Sequence, residues 1–161
     1  MIHIKTAKKT LEIYWPDFSE IDGAIFLTRE LPKRGINLTI FHDLTEAEAF
    51  YNHIHLLDLF SHRARIEGDE DDFWDRNHPD FQMACSIGKD IIKMWAHKLK
   101  AEFRHKEFRL YFTSDFDPTV RFHTVHENEP EWLSESNWGE QISDGRIVII
   151  DTSQNYSPGI R

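Results

Sequence analysis

The stretch FRLYFTSDFDPTVRFHTV, residues 108–125, decides the fold because it joins two alternating segments through a turn. In FRLYF (108–112) and TVRFHTV (119–125), apolar side chains recur at about every second position, which is typical of half-buried strands. The intervening TSDFDP is rich in Ser, Asp and Pro, the residues that favour turns. The pattern therefore predicts an antiparallel hairpin.

The segments on either side of this hairpin predict a helix before it and a strand after it. Residues 79–103 carry apolar side chains at spacings of three and four with basic residues between them, so we expect an amphipathic helix that begins near Pro79 or Asp80. GRIVIID (145–151) follows an Asp-Gly turn signal and is almost continuously apolar. Such a run predicts a strand at the centre of a sheet.

A second long helix is predicted upstream, from Thr45 to about Ile66. Thr45 and Glu48 have the Thr-x-x-Glu spacing of a capping box at a helix N-terminus. Apolar residues then continue at helical spacing through Ile54 and Leu57, and the pattern stops before Gly68.

The first forty residues give patterns of strands. IHIKT (2–6) and TLEIYW (10–15) both alternate and predict a hairpin. Residues 18–31 fit either a helix or a buried strand, with a slight preference for the strand because Gly23 interrupts the helical spacing. INLTIF (36–41) combines β-branched and aromatic residues between breakers, so it is predicted to be a strand.

The sequence as a whole predicts one α+β domain over residues 1–151, followed by a short polar tail over residues 152–161. Its 12 Phe, 5 Trp and 4 Tyr residues against only 7 Gly are enough to build one large core, and no linker rich in Pro, Gly or Ser divides the chain. The expected architecture is a largely antiparallel sheet packed against two long amphipathic helices.

The composition also predicts the compartment. No apolar run is long enough to span a bilayer, and the N-terminus lacks the apolar stretch of a signal peptide. The lone Cys85 excludes an intramolecular disulfide, which agrees with a reducing environment. We therefore expect a cytoplasmic protein without membrane contact.

Charge is unevenly distributed along the chain. Twenty-eight acidic against 19 basic residues give a net charge of -9, which argues against general nucleic-acid binding. Residues 67–80 hold seven carboxylates and one Arg, and residues 127–144 hold six carboxylates and no Lys or Arg. Between these two acidic blocks, residues 89–109 carry a net charge of +4.

Both acidic blocks contain large aromatic residues, a combination found where proteins bind partners. The predicted partner-binding residues are Asp69, Glu70, Asp71, Asp72, Phe73, Trp74, Trp132 and Trp138. If the two blocks converge in the fold, they form one acidic surface with exposed indole rings, suited to a basic protein. The alternative is that the aromatic residues only pin surface loops to the core.

Ten histidines call for a test of metal binding and catalysis. On the predicted helix, His53 and His55 point in different directions, and no His-Glu-x-x-His motif occurs, so we expect neither a metal site nor a cofactor. The candidate catalytic residues are His123, His126 and Asp115, although turn chemistry also explains Asp115.

Three functions remain open from the sequence. The leading hypothesis is a non-catalytic binding module that docks a basic protein, in the manner of an inhibitor or immunity protein. The second is a small hydrolase-like enzyme with a His/Asp pocket between helix and sheet. The third is a structural subunit that forms a homodimer or larger homo-oligomer.

Overall fold

The computed structural model describes residues 11–32, 35–60 and 74–153. The main elements, in chain order, are β1 (Phe18–Ile21), β2 (Ala24–Leu27), α1 (Leu44–Tyr51), β3 (His53–His55), α2 (Pro79–Glu102), β4 (Phe108–Thr113), β5 (Thr119–Thr124), α3 (Gly139–Ser143) and β6 (Ile147–Asp151). Short 3-10 helices lie at Thr28–Glu30, Leu38–Ile40, Leu56–Leu59 and Glu135–Asn137. Together these elements form one compact α+β body with antiparallel sheets, so the predicted fold class is confirmed.

The larger sheet has the strand order β3-β5-β4-β6, and every neighbouring pair is antiparallel. Its centre is the predicted hairpin, in which Phe108 pairs with Thr124 and Thr113 pairs with Thr119. Because successive side chains point to opposite faces of a strand, β4 and β5 each present one apolar and one more polar face. The apolar face packs against α2 and forms the main core with it.

The predicted helix at residues 79–103 is confirmed as α2, with Pro79 at its first turn and His78 as its N-cap. Its contact with the sheet is closest at Gly88. A Cβ atom at this position would lie 2.6 Å from Cδ2 of Phe112 and 2.7 Å from Cδ1 of Leu56. The helix and sheet approach so closely that only glycine fits there without rearrangement.

The predicted second long helix is wrong in its extent, since α1 ends at Tyr51 rather than near residue 66. The reason lies in Asn52, whose Oδ1 accepts from the backbone N–H of Leu27 and whose Nδ2 donates to the carbonyl of Ile25, at 2.8 and 2.7 Å. These bonds tie the chain to β2, and the polar-apolar-polar run that follows forms β3. Residues 61–66 lie outside the described residues.

The predicted capping box is also shifted. Asp43, not Thr45, caps α1, and its Oδ1 accepts from the backbone N–H of Glu46 at 2.7 Å. Glu46 in turn accepts from the backbone N–H of His42 at 2.8 Å. The helix is therefore capped two residues earlier than predicted, and the side chain of Glu46 bonds to the residue before the N-cap rather than to the N-cap itself, as it would in a capping box.

Glu48, freed from capping, is fully buried and links the two sheets. Its carboxylate accepts from the backbone N–H of Ile25 on β2 at 2.5 Å. It also accepts from the backbone N–H and hydroxyl of Thr124 on β5, at 2.8 and 2.7 Å. His126 Nε2 lies 2.8 Å from the same carboxylate. The β1-β2 hairpin is thus fastened to the larger sheet through α1.

The strand preference for residues 18–31 is confirmed as far as Leu27 by β1 and β2, whose turn at Asp22 and Gly23 uses positive φ angles, whereas Thr28–Glu30 is a 3-10 helix. Two other strand predictions are wrong. Residues 11–14 are helical, and Leu38–Ile40 forms a 3-10 turn in which Asn37 Oδ1 accepts from the backbone N–H of Thr39. Local side-chain bonding outweighs β propensity there. The predicted strand at residues 2–6 lies outside the described residues.

The placement of β6 at the centre of the sheet is wrong, because within the described residues it pairs only with β4 and forms an edge. Its apolar run has another cause. Val148 and Ile150 belong to the main core, whereas Ile147 and Ile149 pack on the opposite face of the sheet. Both faces of β6 are covered, so an edge strand has the composition of a central one.

The end of the domain at residue 151 stays a prediction. The description continues to residue 153, and the backbone N–H of Thr152 donates to the carbonyl of Phe108 at 3.0 Å. Residues 154–161 lie outside the described residues.

Candidate functional site

The outer face of the larger sheet, opposite α2, carries an unusual density of polar and aromatic side chains. Alternation along β4 and β5 places Arg109, Tyr111, Arg121 and His123 on this face. Strand pairing then adds His53 of β3, which lies directly across from Arg121. This face is where the fold concentrates groups able to bind or transfer protons.

The segment at residues 131–142 covers part of the outer face. Leu133 is buried against Tyr111 and Ile147, and Trp138 packs beside them. The Trp132 ring lies over Arg121, with its centroid 4.0 Å from the guanidinium carbon. This cover leaves an opening between itself and the strands.

That opening is a cavity of about 290 Å³, called here the outer pocket. Its walls are mostly aromatic and aliphatic, with a few polar groups. The residues that line it are His55, Thr113, Asp115, Phe116, Asp117, Thr119, Arg121, Trp132, Leu133, Trp138 and Ile147. An apolar pocket with a small number of convergent polar groups is the usual form of a binding site.

Arg121 is the cation of the outer pocket. Its Nη1 donates to the carbonyl of Ala49 at 2.9 Å, whereas its buried Nε has no hydrogen-bond partner among the described residues. No carboxylate pairs with it in the part of the chain that the structure describes. Burial lowers the pKa of Arg121 to about 10, because the loss of water disfavours the charged guanidinium.

His55 and Asp117 form a pair at the rim of the outer pocket, with His55 Nδ1 2.7 Å from Asp117 Oδ2. The sequence prediction that His53 and His55 point apart is wrong, because the two residues lie on a strand and their ring centroids are 5.0 Å apart. A carboxylate bonded to one imidazole nitrogen fixes the orientation of the ring.

His123, a predicted catalytic residue, is only 2% exposed. Its Nδ1 donates to the carbonyl of Thr124 at 2.8 Å, and its Nε2 accepts from the Tyr111 hydroxyl at 3.0 Å. Burial lowers the pKa of His123, and the loss of water outweighs the bond to Thr124. The structure thus favours a neutral side chain with both ring nitrogens engaged, beneath the surface of the sheet.

His126, the second predicted catalytic residue, bonds to Glu48. Its partial burial alone would lower its pKa, but the hydrogen bond and the charge of Glu48 outweigh that effect, so the pKa of His126 is raised. This histidine is not among the residues that line the outer pocket. The two side chains form a largely buried ion pair that links α1 to the chain that follows β5.

Asp115, the third predicted catalytic residue, does line the outer pocket. Its carboxylate is 2.6 Å from Arg146 Nη1 and 3.9 Å from Arg76 Nη2. It therefore serves as a counterion that anchors the β4-β5 turn.

The second acidic block, residues 127–144, is only partly neutralised, because four of its six carboxylates share two arginines that lie outside the block. Glu131 and Glu135 both pair with Arg109, and Glu140 and Asp144 both pair with Arg146. A further carboxylate, that of Glu129, accepts from the backbone N–H of Thr45 and Leu44 at the start of α1. These contacts hold the covering segment in place, and the block keeps an excess of partly exposed negative charge.

The structure separates the predicted partner-binding residues into groups. Trp132 and Trp138 line the outer pocket, whereas Trp74 packs against the main core. Asp69, Glu70, Asp71, Asp72 and Phe73 lie outside the described residues. Convergence of the two acidic blocks therefore stays a prediction.

The sequence reasoning missed Arg121, His55 and Phe116 as site residues. Arg121 could have been found, because it lies two residues before His123 and so shares its face of the strand. His55 could not, because its misassignment to a helix hid its position beside β5.

No group of three His, Cys, Asp or Glu side chains is arranged to hold a metal ion within the described ranges. No helix among these residues is long and apolar enough to cross a membrane. Burial is the main cause that raises the pKa of the half-buried Cys85 thiol, as expected for an unreactive cysteine.

Comparison with known proteins places the chain in a family. The model of the Uncharacterized protein PM0498 family matches residues 3–159, so the chain belongs to that family. No curated protein and no solved structure matches the sequence.

Proposed function

We propose that this member of the PM0498 family is a non-catalytic, cytoplasmic binding protein that docks a basic protein partner through the outer pocket. The single observation that carries the proposal is the combination of an open aromatic cavity with carboxylates around it. The cavity would take an apolar anchor of the partner, and the carboxylates would attract its basic residues.

The aromatic rim supports docking of a protein rather than enclosure of a small molecule. Phe116 is 78% exposed and Trp132 is 37% exposed, so apolar surface extends beyond the cavity itself. Large aromatic side chains beside a pocket are the usual anchors of protein interfaces. A partner could cover this rim while it fills the cavity.

Charge complementarity supports a basic partner. The ion pairs with Arg109 and Arg146 leave the outer sides of Glu131, Glu135 and Glu140 in water, where Glu140 retains 83% of its side-chain exposure. With a net charge of -9, the whole molecule adds a long-range attraction for cations. Such a field speeds association and weakens with salt.

The test begins with affinity capture from a lysate, followed by binding measurements on the purified partner. Phe116→Ala should weaken binding by about tenfold, because a truncated anchor typically costs about 1–2 kcal/mol. Ile40→Ala, at another largely exposed apolar residue outside the pocket, is the matched control and should leave binding unchanged.

Two outcomes would contradict the proposal. One is a partner whose affinity is the same for wild type, Phe116→Ala and Trp132→Ala. The other is an association rate that does not fall as ionic strength rises, because carboxylates that steer a basic partner must be screened by salt.

A second candidate function is favoured by one observation, the His55–Asp117 pair at 2.7 Å on the rim of the same pocket. An imidazole oriented by a carboxylate is suited to act as a general base. Hydrolysis of activated esters should then be lost in His55→Gln and kept in His42→Gln, a control histidine that pairs with Glu46 instead. Equal hydrolysis by both variants would exclude this enzyme.

A further inference from the structure

The outer pocket contains a charge that an apolar anchor alone would leave unsatisfied. Arg121 lines the cavity, and among the described residues no carboxylate pairs with it. In the same part of the chain, its buried Nε finds no hydrogen-bond partner. A desolvated guanidinium of this kind is stabilised when a ligand brings an anion.

The contacts of Arg121 with the Trp132 ring and the Ala49 carbonyl partly compensate its burial, but neither neighbour brings a negative charge. Across the sheet on β3 lies His53, whose pKa is lowered first by burial and further by the charge of Arg121; the lowered pKa favours the neutral ring, which cannot serve as a counterion. The nearest rim carboxylates are engaged elsewhere, Asp115 with Arg146 and Asp117 with His55. A carboxylate that entered the pocket would meet Arg121 as its available cation.

The size of the cavity limits what can bring that carboxylate. At about 290 Å³ the pocket lies at the lower end of the range for ligand sites, which suits one large residue. An acidic side chain would offer too little apolar surface to pack against the aromatic walls of the pocket. An apolar residue with its own free carboxylate matches both the walls and the cation, and in a protein that residue is the last one of the chain.

We propose that Arg121 is a carboxylate-binding residue and that the outer pocket receives the C-terminal residue of the partner, with an apolar side chain between Trp132 and Trp138. This inference rests on the proposed function and specifies the group that docks. The terminal carboxylate would bond to the guanidinium. Basic residues that precede the terminus would face the exposed carboxylates of the covering segment.

The experiment uses two versions of the peptide Lys-Lys-Gly-Phe, one with a free C-terminal carboxylate and one with a C-terminal amide. Binding to the full chain is followed by chemical-shift titration. The free carboxylate should bind about tenfold more tightly, as expected for one charge-assisted hydrogen-bonded contact. This preference should vanish in Arg121→Gln and be partly kept in Arg121→Lys, which retains the charge.

The controls separate this inference from the function on which it rests. Arg104→Gln makes the same change of net charge at an exposed position and should keep the preference. Thermal midpoints verify that each variant is folded. Equal binding of the two peptides, lost in Trp132→Ala, would overturn the role of Arg121 while supporting the pocket.

A preference for the carboxylate that survives in Arg121→Gln would also overturn the inference. If neither peptide binds to wild type, C-terminal docking is wrong. The effect of Phe116→Ala on the captured partner then decides the proposed function separately.

Discussion

Replacement of Glu48 by glutamine tests whether this buried carboxylate fastens the two sheets together. The carboxylate accepts from the backbone N–H of Ile25 through Oε1 and from that of Thr124 through Oε2. A glutamine offers only one acceptor oxygen, so its NH₂ group must face one of these two donors in either orientation. At least one buried backbone N–H then loses its partner.

The size of the effect follows from the bonds that are lost. A buried donor left without a partner costs about 1–3 kcal/mol, and the loss of the charge weakens the remaining bonds as well. Removal of one member of a buried ion pair costs about 3–5 kcal/mol, and glutamine keeps part of that geometry. We therefore expect Glu48→Gln to lower the free energy of unfolding by about 2–4 kcal/mol, or the melting temperature by about 5–10 °C.

Urea unfolding followed by circular dichroism measures this difference, with Glu46→Gln as the matched control. Glu46 lies on the same helix and accepts from His42 at the surface, so the same substitution there should change stability much less. If the two variants lose equal stability, Glu48 does not fasten the sheets together and the account of the fold is wrong.

Three further predictions follow from the packing, the charges and the interactions of the chain. Gly88→Ala should lower the free energy of unfolding by about 1–2 kcal/mol in calorimetry. The clash of the added Cβ, 2.6 Å from Phe112, outweighs a gain of about 1 kcal/mol in helix propensity. A more stable variant would show that α2 can move away from the sheet. His126→Gln should cost more stability at about pH 5.5 than at about pH 8. Because the pKa of His126 is raised in the folded state, its stabilisation is complete below the unfolded pKa of 6.5 and is lost as the pH rises through the folded pKa. An equal cost at both pH values would contradict the ion pair with Glu48. If the outer pocket binds a different protein, light scattering of the purified chain should give the mass of one copy, 19.1 kDa. A stable dimer that Phe116→Ala dissociates would instead favour the homo-oligomer.

The parts of the fold that the sequence predicts correctly are those set by local periodicity. The β4-β5 hairpin and α2 have long, regular patterns with clear turn or capping signals, and both are confirmed. The helix predicted to Ile66 failed because Asn52 bonds to β2, which is 25 residues away in sequence. Periodicity carries no information about such a distant partner.

The residues of the candidate site also divide into those that the sequence predicts and those that only the fold brings together. Trp132, Trp138 and Asp115 were predicted as functional residues from composition, and all three line the outer pocket. The contact between His55 and Asp117 spans 62 residues, so only the pairing of β3 with β5 reveals it.

The charge pattern of the sequence predicted the charge of the folded surface least well. The excess of carboxylates over residues 127–144 is visible in the sequence, but their pairing with Arg109 and Arg146 is not. Both arginines lie outside that acidic block, and only the fold brings them to it.

The most direct test of the account is a titration of the protein with its purified partner, followed through the indole N–H signals of its five tryptophans. If the partner docks at the outer pocket, the Trp132 and Trp138 signals shift on binding while that of Trp95, buried in the main core, stays in place. A saturating partner that leaves the Trp132 and Trp138 signals unmoved would contradict binding at the outer pocket.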